Sequence, residues 1–199
     1  MGLSGSKLVY ADNMEKLSKA LRPVSEEQDA DAAVALMLKP TNKDFKILFV
    51  KRVENPADPW SGQMAFPGGK RDAEDENLKQ TVVRETFEET NINLLDRCRF
   101  LGVLTALRSK PRPEMKILPF VILLDHEPSI KLNKKELEGF VWISLGELVQ
   151  NKGTFQFSFG ESPAYVVGSS VIWGLTYRIL ENFFRILQTC QTMMNSKNQ

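Results

Sequence analysis

The chain is expected to fold as α/β layers around a mixed sheet. Three observations carry this expectation. Residues 32–38, 46–52, 100–106 and 117–124 are apolar or alternating runs of strand length. Helical patterns at 75–90 and 169–189 are interleaved with or follow these runs, which is the order of an α/β domain. Of 199 residues, 42% are apolar and 26% charged, ordinary for a soluble folded chain, and this length buries a sizeable core without staples.

In chain order, residues 1–12 lack a charged start followed by an apolar run, so no signal peptide is expected. No stretch of about 18 apolar residues could span a bilayer. Residues 13–21 carry leucines at helical spacing and end at Pro23. With the acidic stretch 26–31 they make an N-terminal helical and extended segment over 1–30. Residues 39–44 turn between the first two strands. The stretch ENPADPWSGQMAFPGG that follows is long for a connection in a compact domain, and long connections are more often functional than idle. The helix over 75–90 ends near Asn91, a residue that tolerates the left-handed conformation closing a helix. Residues 140–143 read as a short strand, with Ser144 capping a helix over 145–150. The last helix, 169–189, places Ile172, Leu175, Ile179, Phe183, Ile186 and Leu187 at helical spacing, with Trp173, Phe183 and Phe184 packing it. Residues 190–199 are expected to be a flexible tail, and 1–199 to be a single domain.

The net charge is +1 and the basic residues are scattered. No global field draws nucleic acid or membrane, so neither is an expected partner. Cys98 and Cys190 are the only cysteines and have no metal-ligand spacing. Two thiols make no disulfide framework, which favours a reducing compartment and a cytoplasmic location. A homodimer is left open.

The informative segment is GGKRDAEDENLKQTVVRETFEETNI, from Gly68 to Ile92. Residues three and four apart share a helix face, so Glu85, Glu88 and Glu89 form one acidic stripe. Exposed like charges at this spacing repel by about a few tenths of a kcal/mol per pair. A cation would relieve that, and hard oxygen ligands suit Mg²⁺ or Mn²⁺. Such an ion also polarises phosphoryl oxygens. Arg84 adjoins the stripe and can hold a carboxylate by a forked hydrogen bond. A solvated acidic face is the bland alternative for a bare R-E-x-x-E-E string; the Phe-Pro-Gly-Gly before it argues against that.

At these residues the chain resembles the Nudix hydrolases, whose box reads G-x5-E-x7-R-E-U-x-E-E-x-G-U with U aliphatic. Glu76, Arg84, Glu85, Glu88, Glu89 and Ile92 stand in register. Gly69 lies one residue further from Glu76 than the pattern asks, so Asp75 or Glu76 takes the first acidic role. Thr86 replaces an aliphatic residue and Asn91 the helix-ending Gly. The resemblance implies an α/β/α sandwich around the mixed sheet. It also implies metal binding by Glu85, Glu88, Glu89 and the carbonyl of Gly69, with Arg84 orienting them.

A further likeness runs from about residue 32 to 187. Some Nudix enzymes that split coenzyme A carry LLTxR-SA-x3-R-x3-G-x3-FPGG. Arg52, Gly62 and Phe66-Pro67-Gly68-Gly69 fall at its places, as do Asp72 and Asp75 of a GG-x2-D-x2-D pattern and the late Ile172-Trp173-Gly174-Leu175-Thr176. The internal Arg is Asp58 here, and a carboxylate there would repel a phosphate. The expected reaction is therefore metal-dependent cleavage of a small-molecule diphosphate. The substrate is coenzyme A or an acyl derivative, or another compound such as ADP-ribose, a nucleotide sugar, a dinucleotide or a nucleoside triphosphate. A nucleotide sensor without catalysis is the other class, but it would usually have lost carboxylates that this chain keeps.

Further candidates follow from position. Arg52 ends a strand and could meet a phosphate. Trp60 could stack on a ring or anchor its loop. Phe66 belongs to the FPGG signature. Arg108, Lys110 and Arg112, spaced by prolines, could grip an anion. Glu136 and Glu138 lie in a region from which Nudix enzymes often recruit another acidic residue, so the resemblance makes Glu136 a candidate general base, whereas Glu138 reads as a solvated charge and His126 as an exposed turn residue.

Overall fold

A computed structural model describes residues 14–25, 29–42, 44–58 and 60–195, with side chains described as far as Cys190. The expectations for residues 1–13, 26–28 and 196–199 lie outside the described residues. Helix α1 covers residues 14–20. The eight-stranded sheet contains β1 (Ala32–Pro40), β2 (Phe45–Arg52), β3 (Met64–Ala65), β4 (Gly68–Lys70), β5 (Cys98–Val103), β6 (Leu107–Arg108), β7 (Lys116–Leu124) and β8 (Leu137–Ser144). Its main path runs β3-β2-β1-β7-β5, with β4 on β1, β6 on β7 and β8 on β2. β1 and β7 pair in parallel, the other pairs antiparallel, so the sheet is mixed.

Successive side chains of a strand point to opposite faces, and β1 shows why helices cover both. Ala33, Ala35 and Met37 face a layer shared with α2 (Leu78–Thr90) through Leu78 and Val82. Leu36 and Leu38 face a second layer with Leu17 of α1, Leu148 of α3 (Leu145–Gln150), and Ile179, Leu180 and Phe183 of α4 (Gly174–Asn195). Burying a side chain of this size contributes roughly 1.5–3 kcal/mol, so Leu78 and Val82 suffice to press the acidic helix onto the sheet. The α/β/α sandwich around a mixed sheet is what the sequence led one to expect.

The differences are local. Helix α2 begins at Leu78, three residues later than its periodicity suggests. The Gln80 N–H, which a helix begun at Asp75 would direct to the Glu76 carbonyl, goes instead to Asn77 Oδ1 at 3.0 Å, and the Asp75 side chain turns back to accept from Asp72 N at 2.9 Å. Such short polar side chains compete with helix and favour caps. At the other end Asn91 adopts φ 62°, ψ 17°, and its N–H returns to the Phe87 carbonyl, as its place in the sequence suggested. Ser144 caps α3 through a capping box with Glu147.

Residues 170–173 are not helix. They form β11 (Ser170–Trp173), the edge of a three-stranded antiparallel sheet with β10 (Gly160–Val167) and β9 (Lys152–Phe157). Ile172 fits the helical spacing of α4, but Gly174 at φ 63° breaks the run before it. Trp173 accordingly packs on Phe157, with centroids 4.5 Å apart, rather than under the last helix. Phe183 is buried in α4 as expected. That helix continues to Asn195, into the segment expected as tail.

Thr86, in an aliphatic position of the acidic box, is fully buried, and its hydroxyl has no hydrogen-bond partner among the described residues. An unmade buried hydrogen bond costs about 1–3 kcal/mol. Thr86→Val should therefore stabilise the protein by about 1 kcal/mol, raising the melting temperature by roughly 2–4 °C. An unchanged or lower melting temperature in a thermal scan would count against this reading.

Candidate active site

Strand β4 pairs with β1 so that Gly68 lies against Val34 and Gly69 against Ala33. This brings the Gly-Gly backbone to the acidic face of α2. The Gly68 N–H donates to Glu89 Oε2 at 2.9 Å. A Cβ on Gly69 would lie 2.4 Å from the Glu85 carboxylate, so only glycine lets that carboxylate come so near. Glu85, Glu89, Gly68 and Gly69 line one cavity of about 290 Å³ together with Arg52, Trp60, Phe66 and Glu136. Leu175, Thr176 and Ile179 of α4 close another side, and Thr176 locks that helix to β3 by donating to the Met64 carbonyl at 3.0 Å.

Glu89 is only 3% exposed. Burial pushes its carboxyl up to about 8. The Gly68 N–H and the charge of Arg52 oppose the shift, while Glu85 and Glu136 add to it. Burial also raises Glu85, against the pull of Arg84 and with a push from Glu88 and Glu136. Glu136 reaches the site because the loop before β8 is tied to the end of α2: Asn133 N donates to the Glu89 carbonyl and Lys131 N to that of Thr90, both at 2.9 Å. Asn133 Nδ2 then holds Glu136 Oε1 at 2.8 Å.

Arg84 stands between the carboxylates. It donates to Asp75 Oδ2 at 2.8 Å, Glu85 Oε1 at 3.0 Å and Glu88 Oε2 at 3.3 Å. Its hydrogen bond is the main reason that the Asp75 carboxyl lies well below the usual carboxylate range. Asp75 is buried, and Glu76 is exposed, its backbone carbonyl accepting from Arg71 and its N–H donating to Gln80 Oε1 at 2.7 Å. The geometry thus resolves the choice that the shifted spacing left open in favour of Asp75. Asp75→Asn should lower stability by about 1–3 kcal/mol and activity by about 10–100-fold through a loosened Arg84. Glu76→Gln should change neither. Paired kinetics and denaturant curves on the two variants check this, and equal effects would refute the assignment.

Two candidates stand elsewhere than expected, and a third is in place but already paired. Arg52 lines the cavity but is committed to Asp58, whose Oδ2 accepts from its Nε at 3.0 Å and its Nη2 at 2.7 Å. Burial works against ionising Asp58, but the Trp60 N–H and Arg52 hold its carboxyl below the ordinary value. Asp58 therefore quenches the cation expected to meet phosphate and also fixes the Trp60 loop. Arg108 and Lys110 do not line the cavity. The Arg108 guanidinium turns to the Pro113 carbonyl at 2.8 Å, and Lys110 is exposed. Arg112 of the same loop lies over Trp60, 5.4 Å from its ring centroid, but lines a neighbouring cavity with Asp72 and Asp75. The cation that lines the glutamate cavity besides Arg52 is Lys70. Phe66 is buried and stacked on Phe49 at 5.2 Å. Glu138 points away to Lys51, and His126 is half-buried beside the Arg97 carbonyl. Sequence reasoning missed the α4 wall, because nothing local marks a distant helix as part of a cavity.

No three Asp, Glu, His or Cys side chains among the described residues already stand in coordination geometry. Glu85 and Glu88 instead lean on Arg84. The residues nonetheless fit a divalent ion. Glu89 is a buried carboxylate neighboured by two more negative groups, and beside it a glycine leaves the space a Cβ would fill. Buried charges need pairing or a metal.

A mixed sheet between helices, with a Gly-Gly strand laid against an acidic helix, defines the class: the chain belongs to the NUDIX domain family, whose domain matches residues 29–160. The peroxisomal coenzyme A diphosphatase of Caenorhabditis elegans is 32% identical over 131 residues, covering 65% of this chain and 55% of that protein. The chain thus spans about half the length of that relative. The mitochondrial coenzyme A diphosphatase of Mus musculus is 29% identical over 149 residues, 71% of this chain and 70% of that protein. A MutT/nudix family protein from Enterococcus faecalis superposes with a TM-score of 0.55 at 17% identity, over 94% of this chain and 70% of that one. At that identity the likeness shows the fold. Nudix hydrolases generally need divalent metal ions.

Proposed function

We propose that this chain hydrolyses the diphosphate linkage of a nucleoside diphosphate derivative, with coenzyme A or an acyl-coenzyme A as the leading substrate. The observation that carries the reading is the convergence of Glu85, the buried Glu89 and Glu136 on one cavity behind Gly68 and Gly69. Glu85, Glu88, Glu89 and the Gly69 carbonyl would hold Mg²⁺ or Mn²⁺, which when bound neutralises the carboxylates and polarises phosphoryl oxygens. The chain does the rest. Arg84 orients Glu85 and Glu88, and the Gly68 N–H orients Glu89. Glu136 takes a proton from the water that attacks one phosphorus of the P–O–P bridge. The bridge bond breaks and the other phosphate leaves as a monoester, its charge met by Lys70, which lines the cavity. Trp60 offers a ring face to a base.

The pairing of Asp58 with Arg52 favours a second reading, in which the substrate is another diphosphate, such as ADP-ribose, a nucleotide sugar or a dinucleotide. Product formation from coenzyme A, an acyl-coenzyme A, ADP-ribose, a nucleotide sugar and nucleoside triphosphates, with Mg²⁺ and with Mn²⁺, separates the two. Glu88→Gln serves as the control. Cleavage of coenzyme A to a pantetheine phosphate and an adenosine bisphosphate supports the first, and cleavage of another diphosphate alone supports the second. Full activity in the control would remove the assigned site. We keep a single domain over 1–199, with no nucleic-acid partner, and leave a homodimer to sedimentation. No helix among the described residues is long and apolar enough to cross a membrane. The cytoplasmic location rests on the sequence, since the relatives' names are peroxisomal and mitochondrial.

A further inference from the structure

Between β3 and the β9–β11 sheet lies a second cavity of about 320 Å³ that hydrolysis does not use. Phe155, Phe157 and Trp173 form one wall with Met64 beside them, and Ser169 and Ser170 form another. The rings are packed together, Phe155 at 4.8 Å and Trp173 at 4.5 Å from the Phe157 centroid. Phe155 is still 37% exposed and the neighbouring Phe159 64% exposed. Contiguous apolar surface of this kind marks a place where something docks. Gln63 lines this cavity and the glutamate cavity alike, so the two adjoin. Among the described residues that line it, Lys51 carries the one charge, and Glu138 pairs with it at 3.0 Å.

The occupant follows from size and charge. The glutamate cavity, about 290 Å³, is at the lower end for small-molecule sites. With Trp60 in its lining, it holds a diphosphate and one ring, and what hangs on the far phosphate must leave it. Lys51, already paired with Glu138, offers little to a further phosphate, whereas aromatic rings facing Gln63, Ser169 and Ser170 suit an uncharged arm that carries methylenes and amides together. We propose that this cavity is the subsite for the neutral arm on the far phosphate, a pantetheine-like chain with its acyl extension, which passes Gln63. The proposal rests on the glutamate cavity being a diphosphatase site.

The test uses the full-length protein and coenzyme A carrying a medium acyl chain with a photoreactive diazirine. Irradiation followed by peptide mass spectrometry should place the label between Phe155 and Phe157 or between Val171 and Trp173. Phe155→Ser, a change at the surface, should raise KM for an octanoyl-coenzyme A about fivefold and leave KM for ADP-ribose unchanged. A label at Trp60 or Leu175, or no light-dependent label, overturns the subsite. So does a Phe155→Ser variant that turns a dimer into a monomer in sedimentation without moving either KM, for the surface then belongs to self-association. If the acyl compound is hydrolysed while the label falls elsewhere, the subsite fails and the diphosphatase reading stands. If the label falls in the cavity and nothing is hydrolysed, the diphosphatase reading fails and the binding site stands.

Discussion

Glu89→Gln is expected to abolish turnover and, in the same variant, to stabilise the metal-free protein at pH 8. The first effect follows from removing a charge that would hold the divalent ion, a loss of about a thousandfold, or roughly 4 kcal/mol of barrier. The second follows from the environment of Glu89. Its folded carboxyl titrates at about 8 against an ordinary value of 4.5, chiefly because it is buried. Between those two values the folded chain keeps a proton that the unfolded chain has lost. Stability therefore falls as pH rises through this window and levels off above it. The metal-free wild type should lose on the order of 3 kcal/mol between pH 5 and pH 8. Glutamine stays neutral, so the variant should show little of this slope. Denaturant unfolding in the presence of a chelator, at both pH values, reads the difference directly. A wild type equally stable at pH 5 and 8 would mean that Glu89 is not held as described.

Gly68→Ala should unfold or severely weaken the protein, whereas Gly69→Ala should leave it folded and impair only the site. Gly68 has φ 141°, and a Cβ there would lie 2.2 Å from the Ala33 carbonyl oxygen and 2.6 Å from the Val34 Cα. Those atoms belong to β1, which is paired to β2, β4 and β7 and cannot move aside. Strain and overpacking together should cost about 3 kcal/mol or more. At Gly69 the obstacle is the Glu85 carboxylate, the far end of a flexible side chain. Stability should change by less than about 1 kcal/mol while activity falls about 10–100-fold. Melting curves and kcat on the two variants decide the matter, and a Gly68→Ala protein as stable as wild type would contradict the close approach of β4 to β1.

Much of this was legible in the chain. The five longer strands of the main sheet, the capped α3, the Asn91 helix end and the acidic stripe all rest on patterns within a few residues: period, capping residues, and side chains three and four apart; the short β3, β4 and β6 leave no such pattern. Where those signals compete, reading fails. Asn77 delays α2 by drawing the Gln80 N–H to its side chain. The periodicity of α4 absorbs Ile172 until Gly174 breaks it, which hid β11 and the small sheet to which it belongs.

By itself the sequence determined the family and the layered α/β fold and named the glutamates of the proposed site, because each is written in spacings of fewer than ten residues or in a motif. Tertiary structure decided the charge assignments. Asp58 proved to be the partner of Arg52, Asp75 rather than Glu76 the partner of Arg84, and Arg112 rather than Arg108 or Lys110 the cation at Trp60. The physical reason is that a charge acts over a few ångströms of space, and the chain brings such neighbours together only once its strands have paired.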